Sequence, residues 1–155
     1  MNLVLNLDEY NENNVFVTES IRNTVIDNSS FMRIIYSTSD VAFNGIFLLV
    51  PFANFQISKY FNKWRCNFDQ DENRSIIEQI RNVEESLLGK INMGQKQPCA
   101  KIYEQLRSSY IKIFLEEANM DNVAADDKIL LKISGIWVSE HEYGITYKFI
   151  LASRP

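Results

Sequence analysis

The sequence predicts a β-rich α+β fold, and three observations support this prediction. Residues 128–151 contain two runs rich in β-branched and aromatic residues, separated by the polar segment 139–142, which is the pattern of an antiparallel hairpin. Residues 31–68 hold further strand-like runs divided by turn residues. One segment, at about 73–91, shows clear helical periodicity. This order favours an OB-type antiparallel barrel with the helix inserted after the third strand, and an open α+β sheet covered on one side by that helix fits the same order.

The first thirty residues are rich in asparagine and acidic residues, with short apolar runs at 3–5 and 15–17. We interpret 1–30 as an extended arm or small edge strands, and 31–155 as a single OB-like domain. With 155 residues and 46% hydrophobic content, the chain can bury a core without disulfides or metal.

Three strands are predicted between 31 and 68. Residues 31–37 form the first, and turn signals at 38–40 and 44–45 precede the second at 46–50. Residues 59–68 form the third. Strand alternation then divides this third strand into two faces, the first with Lys59, Phe61, Lys63 and Arg65, and the second with Tyr60, Asn62, Trp64 and Cys66.

The helix at 73–91 follows N-cap candidates within 69–73. A short helix is expected at 99–108, a strand at 110–115 and a polar loop at 116–127. The final hairpin pairs 128–138 with 143–151, and Gly135 predicts a bulge or a close backbone approach in its first strand. In its second strand one face is predicted to be buried, and it carries Tyr143, Ile145, Tyr147 and Phe149.

The search for catalytic and metal-binding motifs is negative, so an enzyme is disfavoured and no cofactor or metal is expected. No nucleophile, zinc or phosphate-loop motif occurs. The single histidine, His141, lies on the predicted hairpin turn, where a solvated residue is expected. Cys66 and Cys99 have no metal-site spacing and are interpreted as reduced core thiols. The acids at 69–72 lack the spacing of a calcium loop and are explained as helix capping.

Charge is unevenly distributed along the chain, although its formal net value is −4. The predicted strand regions are net positive, whereas the acids concentrate in the first thirty residues, around the helix and in 116–127. The start of the chain lacks the features of a signal peptide, and no segment has about 20 consecutive apolar residues. We therefore expect a soluble intracellular protein without a membrane partner.

Basic and aromatic residues interleave on the predicted strands, a pattern typical of proteins that stack unpaired bases on rings and neutralise phosphates with Lys and Arg. Phosphate contacts are predicted for Lys59, Lys63, Arg65, Lys132 and Lys148, with Arg33 and Lys112 as further candidates. Stacking is predicted for Phe61, Trp64 and Trp137, although both tryptophans also suit a core. Exposed strands also carry lysine for another reason, since it guards sheet edges against aggregation.

Several phrases of residues 31–150 resemble the small single-stranded-DNA-binding proteins of large eukaryotic DNA viruses and related virus-like mobile elements. They are FMRIIYS, GIFLLVPF, KYFNKWRCNFD with the following NRSIIEQIRNVEESLL, and the closing LKISGIWVSEHEYGITYKFI. The resemblance implies an OB-type fold and a non-enzymatic protein that coats unwound DNA during replication or recombination. It also implies a location in the host nucleus or at a viral replication site. Unlike many replicative single-strand binders, the sequence closes in LASRP rather than in an acidic tail, so recruitment of other proteins through such a tail is not expected.

The alternative, from a different functional class, is a structural or protein-interaction module that assembles with copies of itself or holds a protein partner. Its sheet edges and apolar surface would provide the contacts. The expected partners are therefore single-stranded nucleic acid, DNA by the resemblance, and a second copy of the chain in a homo-oligomer.

Overall fold

The final hairpin lies at the centre of the sheet in the computed structural model of the chain. The structure describes residues 4–19, the backbone of 21–22, and residues 29–115 and 128–152. The predicted polar loop at 116–127 and part of the predicted N-terminal arm lie outside the described residues. The described residues form two α-helices, α1 (Arg74–Leu88) and α2 (Lys101–Leu106). They also form twelve strands: β1 (Val4–Leu5), β2 (Val15–Val17), β3 (Ile21–Arg22), β4 (Ser30–Ser37), β5 (Ala42–Asn44), β6 (Ile46–Val50), β7 (Gln56–Tyr60), β8 (Lys63–Asn67), β9 (Gln97–Cys99), β10 (Tyr110–Leu115), β11 (Lys128–Val138) and β12 (Glu142–Ala152).

The sheet is open and mixed. Seven strands follow one another across it in the order β1-β6-β11-β12-β10-β8-β7. Strands β1 and β6 are parallel, as are β10 and β12, whereas the other neighbours on this path are antiparallel. Because β1 and β7 lie at opposite ends of the path, the sheet does not close, and the predicted OB-type barrel is not confirmed. The β-rich α+β class is confirmed, with a helix after the strands of the first half.

Strand β11 changes partner along its length. Its first half pairs with β6 from Ile129 to Ile133, and its second half pairs with β4 from Gly135 to Val138. The register against β12 shifts between Ile133 and Gly135, which confirms the predicted bulge. Strand β4 also pairs with β2, β3 and β5, so the short strands of the first thirty residues join the same sheet.

The segment predicted as one strand at 59–68 is instead a hairpin of β7 and β8. Residues 61–62 form its turn, and Tyr60 lies opposite Lys63. This turn contains neither glycine nor proline, so the sequence carries no strong turn signal there, although Tyr60-Phe61 and Asn62-Lys63 interrupt the alternation of apolar and polar residues. Lys59 consequently lies opposite Trp64, on the other face of the hairpin from Lys63 and Arg65. The predicted common face for these cations is therefore wrong for Lys59.

Both helices cover one face of the sheet, which we call the inner face. Strands β10, β11 and β12 bury alternate side chains there, including Ile113, Leu131 and Phe149. Helix α1 adds a stripe of buried residues at helical spacing, namely Ile77, Ile80, Val83, Leu87 and Leu88. Helix α2 is joined to β12 by Tyr147, whose hydroxyl donates to Gln105 Oε1 over 2.6 Å. The opposite side of these strands, the outer face, carries Lys112, Lys132 and Lys148.

A buried carboxylate joins the two helices. Glu84 of α1 is 1% exposed and accepts hydrogen bonds from the backbone N–H groups of Ile102 (2.9 Å) and Tyr103 (3.0 Å). These N–H groups belong to the first turn of α2, where they have no partner within the helix. Burial raises the pKa of Glu84, while the two N–H bonds act in the opposite direction.

The helix start lies within the predicted segment. Asn73 is the residue before α1, and its fully buried side chain accepts from Ala53 N (2.7 Å) and donates to the backbone oxygens of Ala53 and Asp69. This amide therefore ties the loop after β6 to the start of the helix. Neither helix of the described residues combines the length and apolar character needed to cross a membrane.

Candidate nucleic-acid interface

Four neighbouring strands each place one cation at the same level of the outer face. Arg65 of β8 lies opposite Lys112 of β10, and Lys148 of β12 lies opposite Lys132 of β11. Lys112 and Lys148 are neighbours as well, since each comes one residue before the parallel pair Ile113 and Phe149. With strands about 4.8 Å apart, the four cations cross about 14 Å of sheet. We call Arg65, Lys112, Lys148 and Lys132 the cation row.

Every cation of the row lies against an aromatic ring. The Arg65 Cζ atom is 4.9 Å from the ring centroid of Tyr60 and 5.6 Å from that of Tyr110. The Phe114 ring centroid is 4.8 Å from Lys112 Nζ and 5.2 Å from Lys148 Nζ. At the far end Lys132 Nζ is 5.7 Å from the ring of Phe47. Ring faces attract cations, so the rings hold these side chains over the sheet without neutralising them.

The cation row has no acidic counterpart among the described residues. The ion pairs within residues 4–19, 29–115 and 128–152 join residues of the helices, the α1 entry and the 140–141 turn, and none includes a member of the row. Like charges directly opposite each other destabilise a sheet. An anion bound along the row would relieve this repulsion.

Arg65 also has an unsatisfied donor. Its Nε atom is buried and has no hydrogen-bond partner among the described residues. A buried donor without a partner is unusual in a folded protein and frequently marks the place of a water, ion or ligand. The Tyr60 and Tyr110 rings hold the guanidinium next to this position, so Arg65 is oriented before any anion arrives.

Two predicted residues lie on the outer face beside the row. Arg33 is exposed on β4, opposite Gly135. A groove of about 270 Å³ connects Arg33 to Lys132, and Ser134 is also part of its lining. Trp137 is half-buried, and its ring lies on Gly144 so closely that an added Cβ there would come within 2.7 Å of the indole. This glycine contact explains how a tryptophan packs on the outer side of the sheet.

The other predicted residues surround the β7–β8 hairpin. Lys63 lies on the same face as Arg65, whereas Trp64 lies opposite Ile113 and packs against the core. Phe61 is at the turn, is 83% exposed and lies edge-on to the Tyr60 ring, with 4.6 Å between the ring centroids. A cavity of about 550 Å³ opens where β8 and β10 separate, and it is lined by Lys59, Asn62, Lys63, Trp64, Lys112, Ile113, Phe114 and Leu115. Lys59 and Trp64 therefore share a cavity with Lys112 of the row, although they lie on the inner face.

Sequence reasoning missed the rings that contact the row. They are Phe47, Tyr60, Tyr110 and Phe114. Strand β10 carried a readable signal, because Tyr110, Lys112 and Phe114 alternate with the buried Ile111 and Ile113. Tyr60 was predicted on the face away from Arg65, and the unrecognised hairpin turn is the reason for that error.

The other reactive side chains of the described residues include two cysteines and the single histidine. Within the part of the chain that the structure describes, no three His, Cys, Asp or Glu residues are placed to hold a metal ion. Cys66 and Cys99 are free, and burial raises the pKa of the Cys66 thiol to about 12. His141 is exposed on the final hairpin turn, 3.9 Å from Glu140.

Comparisons of this chain with protein-family models, with curated proteins and with solved structures gave no match. The cation row and its rings are therefore the features from which a function can be inferred. They combine positive charge, accessible aromatic surface and, among the described residues, no carboxylate within ion-pair distance of the row.

Proposed function

We propose that the chain binds single-stranded DNA without sequence preference on the outer face of its sheet, and that it coats unwound DNA during replication or recombination. The cation row carries this proposal, because its four charges stand in line with rings beside them and no carboxylate paired to them among the described residues. Phosphates would lie along the row, and bases would stack on the adjacent rings. The resemblance of residues 31–150 to small viral single-stranded-DNA-binding proteins supports the same partner. The binding mode needs only the outer face of the open sheet.

A single strand fits this face better than a duplex. Tyr60, Tyr110 and Phe114 are 56%, 48% and 38% exposed, so their rings are open to bases. Bases within a duplex are already stacked on each other and cannot reach a flat aromatic surface, whereas unpaired bases can. The net charge of −4 restricts attraction for a polyanion to this locally positive region.

Titration of a fluorescein-labelled oligothymidine, followed by anisotropy, tests the proposal. Four phosphate contacts on a single strand give a slope of about −2.8 for log K against log salt, or about a 50-fold loss of affinity between 50 and 200 mM salt. The double variant Lys112→Gln/Lys148→Gln removes two contacts and should reduce the slope to about −1.4. The matched control is Lys90→Gln/Lys101→Gln, which changes the net charge equally on the helical side and should keep the slope of the unmodified chain.

Two results would contradict the proposal. The first is no anisotropy change at 20 mM salt with the unmodified chain. The second is an equal effect of the two double variants, since that would mean that net charge rather than the cation row attracts the oligonucleotide. Circular dichroism of each variant verifies that the sheet is retained.

The β7–β8 turn favours a second candidate, a module that binds a protein partner or a second copy. Phe61 is 83% exposed and has φ of 55°, a conformation that costs a bulky residue about 1–3 kcal/mol. Its neighbour Tyr60 is 56% exposed, and β7 is the last strand of the sheet path. Such an exposed ring at a sheet end suits a contact between proteins. Sedimentation velocity would then show a concentration-dependent oligomer that Phe61→Ser dissociates, and a monomer at every concentration would contradict self-assembly.

A further inference from the structure

A second row, made of apolar side chains, runs beside the cation row on the outer face. Phe114 of β10 lies opposite Ile150 of β12, Ile150 lies opposite Leu130 of β11, and Leu130 lies opposite Leu49 of β6. Phe114 and Ile150 each come two residues after a lysine of the cation row, so the two rows are adjacent and parallel. We call Phe114, Ile150, Leu130 and Leu49 the apolar row.

The apolar row does not belong to the core of the described residues. Phe114 is 38% exposed and the other three side chains are half-buried. None of the four is among the buried residues of the core or the half-buried residues that pack against it. A continuous apolar strip outside the core, bordered by charge, marks a binding surface more often than a chance exposure.

We infer that a single strand of DNA crosses the β-strands with its phosphates on the cation row and its bases on the apolar row. This inference rests on the proposed function and gives it a direction: the bases point toward the carboxyl ends of β10 and β12. Charge complementarity favours this occupant, because a single strand carries anionic phosphates along one side and flat base faces along the other.

The opposite border of the cation row offers one open ring, that of Tyr110, and is otherwise polar, so it provides no continuous apolar strip. Tyr110 lies opposite Asn67 there, and Thr146 lies opposite Gly135. The apolar row, in contrast, has no side-chain hydrogen-bond donor or acceptor. It can support any base face but cannot read base edges, so binding through it is independent of sequence.

Phe114 couples the two rows. Lys112 Nζ and Lys148 Nζ both lie within about 5 Å of its ring, at 4.8 and 5.2 Å from the centroid. A base that stacks on Phe114 requires an ammonium group to leave the ring face, and a phosphate on the cation row provides the new partner for that ammonium. Stacking and phosphate binding therefore occur together at this residue.

The test compares two ligands of equal length, an oligothymidine and an oligomer of abasic deoxyribose phosphate, against Phe114→Ala. Stacking of one base predicts a loss of about fivefold or more for the oligothymidine. The abasic oligomer should lose less than twofold, and the salt slope should not change for either ligand. Phe16→Ala is the matched control, because Phe16 is also an exposed phenylalanine on a strand, at 56% exposure, but lies on β2. Phe114→Leu keeps apolar bulk over the sheet, as the three aliphatic members of the row do, and should lose less affinity for the oligothymidine than Phe114→Ala.

If Phe114→Ala loses the same affinity for both ligands, or loses none for either, the inference is overturned. The proposed function still stands in that case if Lys112→Gln/Lys148→Gln reduces the salt slope. Failure of the unmodified chain to bind both ligands would overturn both. A second copy of the chain on the apolar row is the competing occupant. In that case Phe114→Ala would shift the sedimentation coefficient and leave the affinity ratio of the two ligands unchanged, which also overturns the inference.

Discussion

Reversing one charge in the cation row should stabilise the unbound protein. Lys148 lies opposite Lys132 and next to Lys112, so it has a lysine on each side. At about 7 Å in a high-dielectric setting, each like-charge pair costs about 0.6 kcal/mol, and the two pairs together cost about 1.2 kcal/mol. Lys148→Glu converts both repulsions into attractions of similar size.

The expected gain is smaller than the full change of sign. The variant loses the contact of Lys148 with Phe114, worth about 0.5–1 kcal/mol at an exposed site. The net increase in the free energy of unfolding should therefore be about 1–2 kcal/mol at low salt. For a chain of this length that corresponds to a rise in Tm of about 2–8 °C.

Urea denaturation at 20 mM and 1 M NaCl is the appropriate assay, because urea does not change the ionic strength. At 1 M salt the Debye length is about 3 Å, so most of the gain should disappear. Lys59→Glu makes the same change in net charge, but Lys59 has Trp64 rather than a cation opposite it, and little stabilisation is expected. A loss of stability in Lys148→Glu at low salt, or a gain that salt does not alter, would refute the electrostatic reasoning. The same variant should bind oligothymidine more weakly. The cation row would then lower the stability of the unbound protein while it raises its affinity for the oligonucleotide.

Three further predictions concern the core and the sheet. Burial raises the pKa of Glu84 above its ordinary value of 4.5, so the free energy of unfolding should fall as pH rises from about 4.5 toward that raised pKa. Glu84→Gln should flatten this part of the stability curve measured by urea denaturation. Parallel curves for the two proteins would contradict the assignment. The buried Cys66, with a pKa of about 12, should not react with a thiol reagent at pH 8 until the protein unfolds, whereas the half-buried Cys99 should react in the native state. Mass spectrometry of the labelled peptides measures both reactions, and equal labelling rates for the two cysteines would contradict this prediction. Gly135→Ala should lower the free energy of unfolding by at least about 2 kcal/mol, because the added Cβ would overlap a backbone carbonyl and an aromatic ring of β4. Gly94→Ala has open space around its Cβ and should lower it by about 1 kcal/mol, because of the positive φ. Equal losses in Tm for the two variants would exclude the packing explanation.

Local patterns were sufficient for the final hairpin and the long helix. The alternation of 128–138 and 143–151 predicted the two strands, their buried face and the bulge at Gly135, and the structure confirms all three. Helical spacing of apolar residues predicted α1 to within a few residues at each end. These features depend on side chains close in sequence, because a strand repeats every two residues and a helix every 3.6.

Local patterns failed at the β7–β8 turn and at the closure of the sheet. Phe61 and Asn62 include neither of the strong turn formers, glycine and proline, and the turn is imposed by the pairing of β7 with β8 and of β8 with β10. A barrel or an open sheet can be built from the same local strands, because closure depends on register between strands distant in sequence. The parallel pairing of β10 with β12 could not be read from either strand alone.

The sequence alone determines which side chains of each strand face away from the core. Lys112, Lys132 and Lys148 were therefore expected on an outer surface. The tertiary structure decides that Arg65 and these three lysines stand level with one another, and that an apolar row lies beside them. The physical reason is that alternation fixes only the face on which a side chain lies. Its height relative to a neighbouring strand is set by the packing of the inner faces, where Ile111, Ile113, Leu131 and Phe149 fit together beneath the helices.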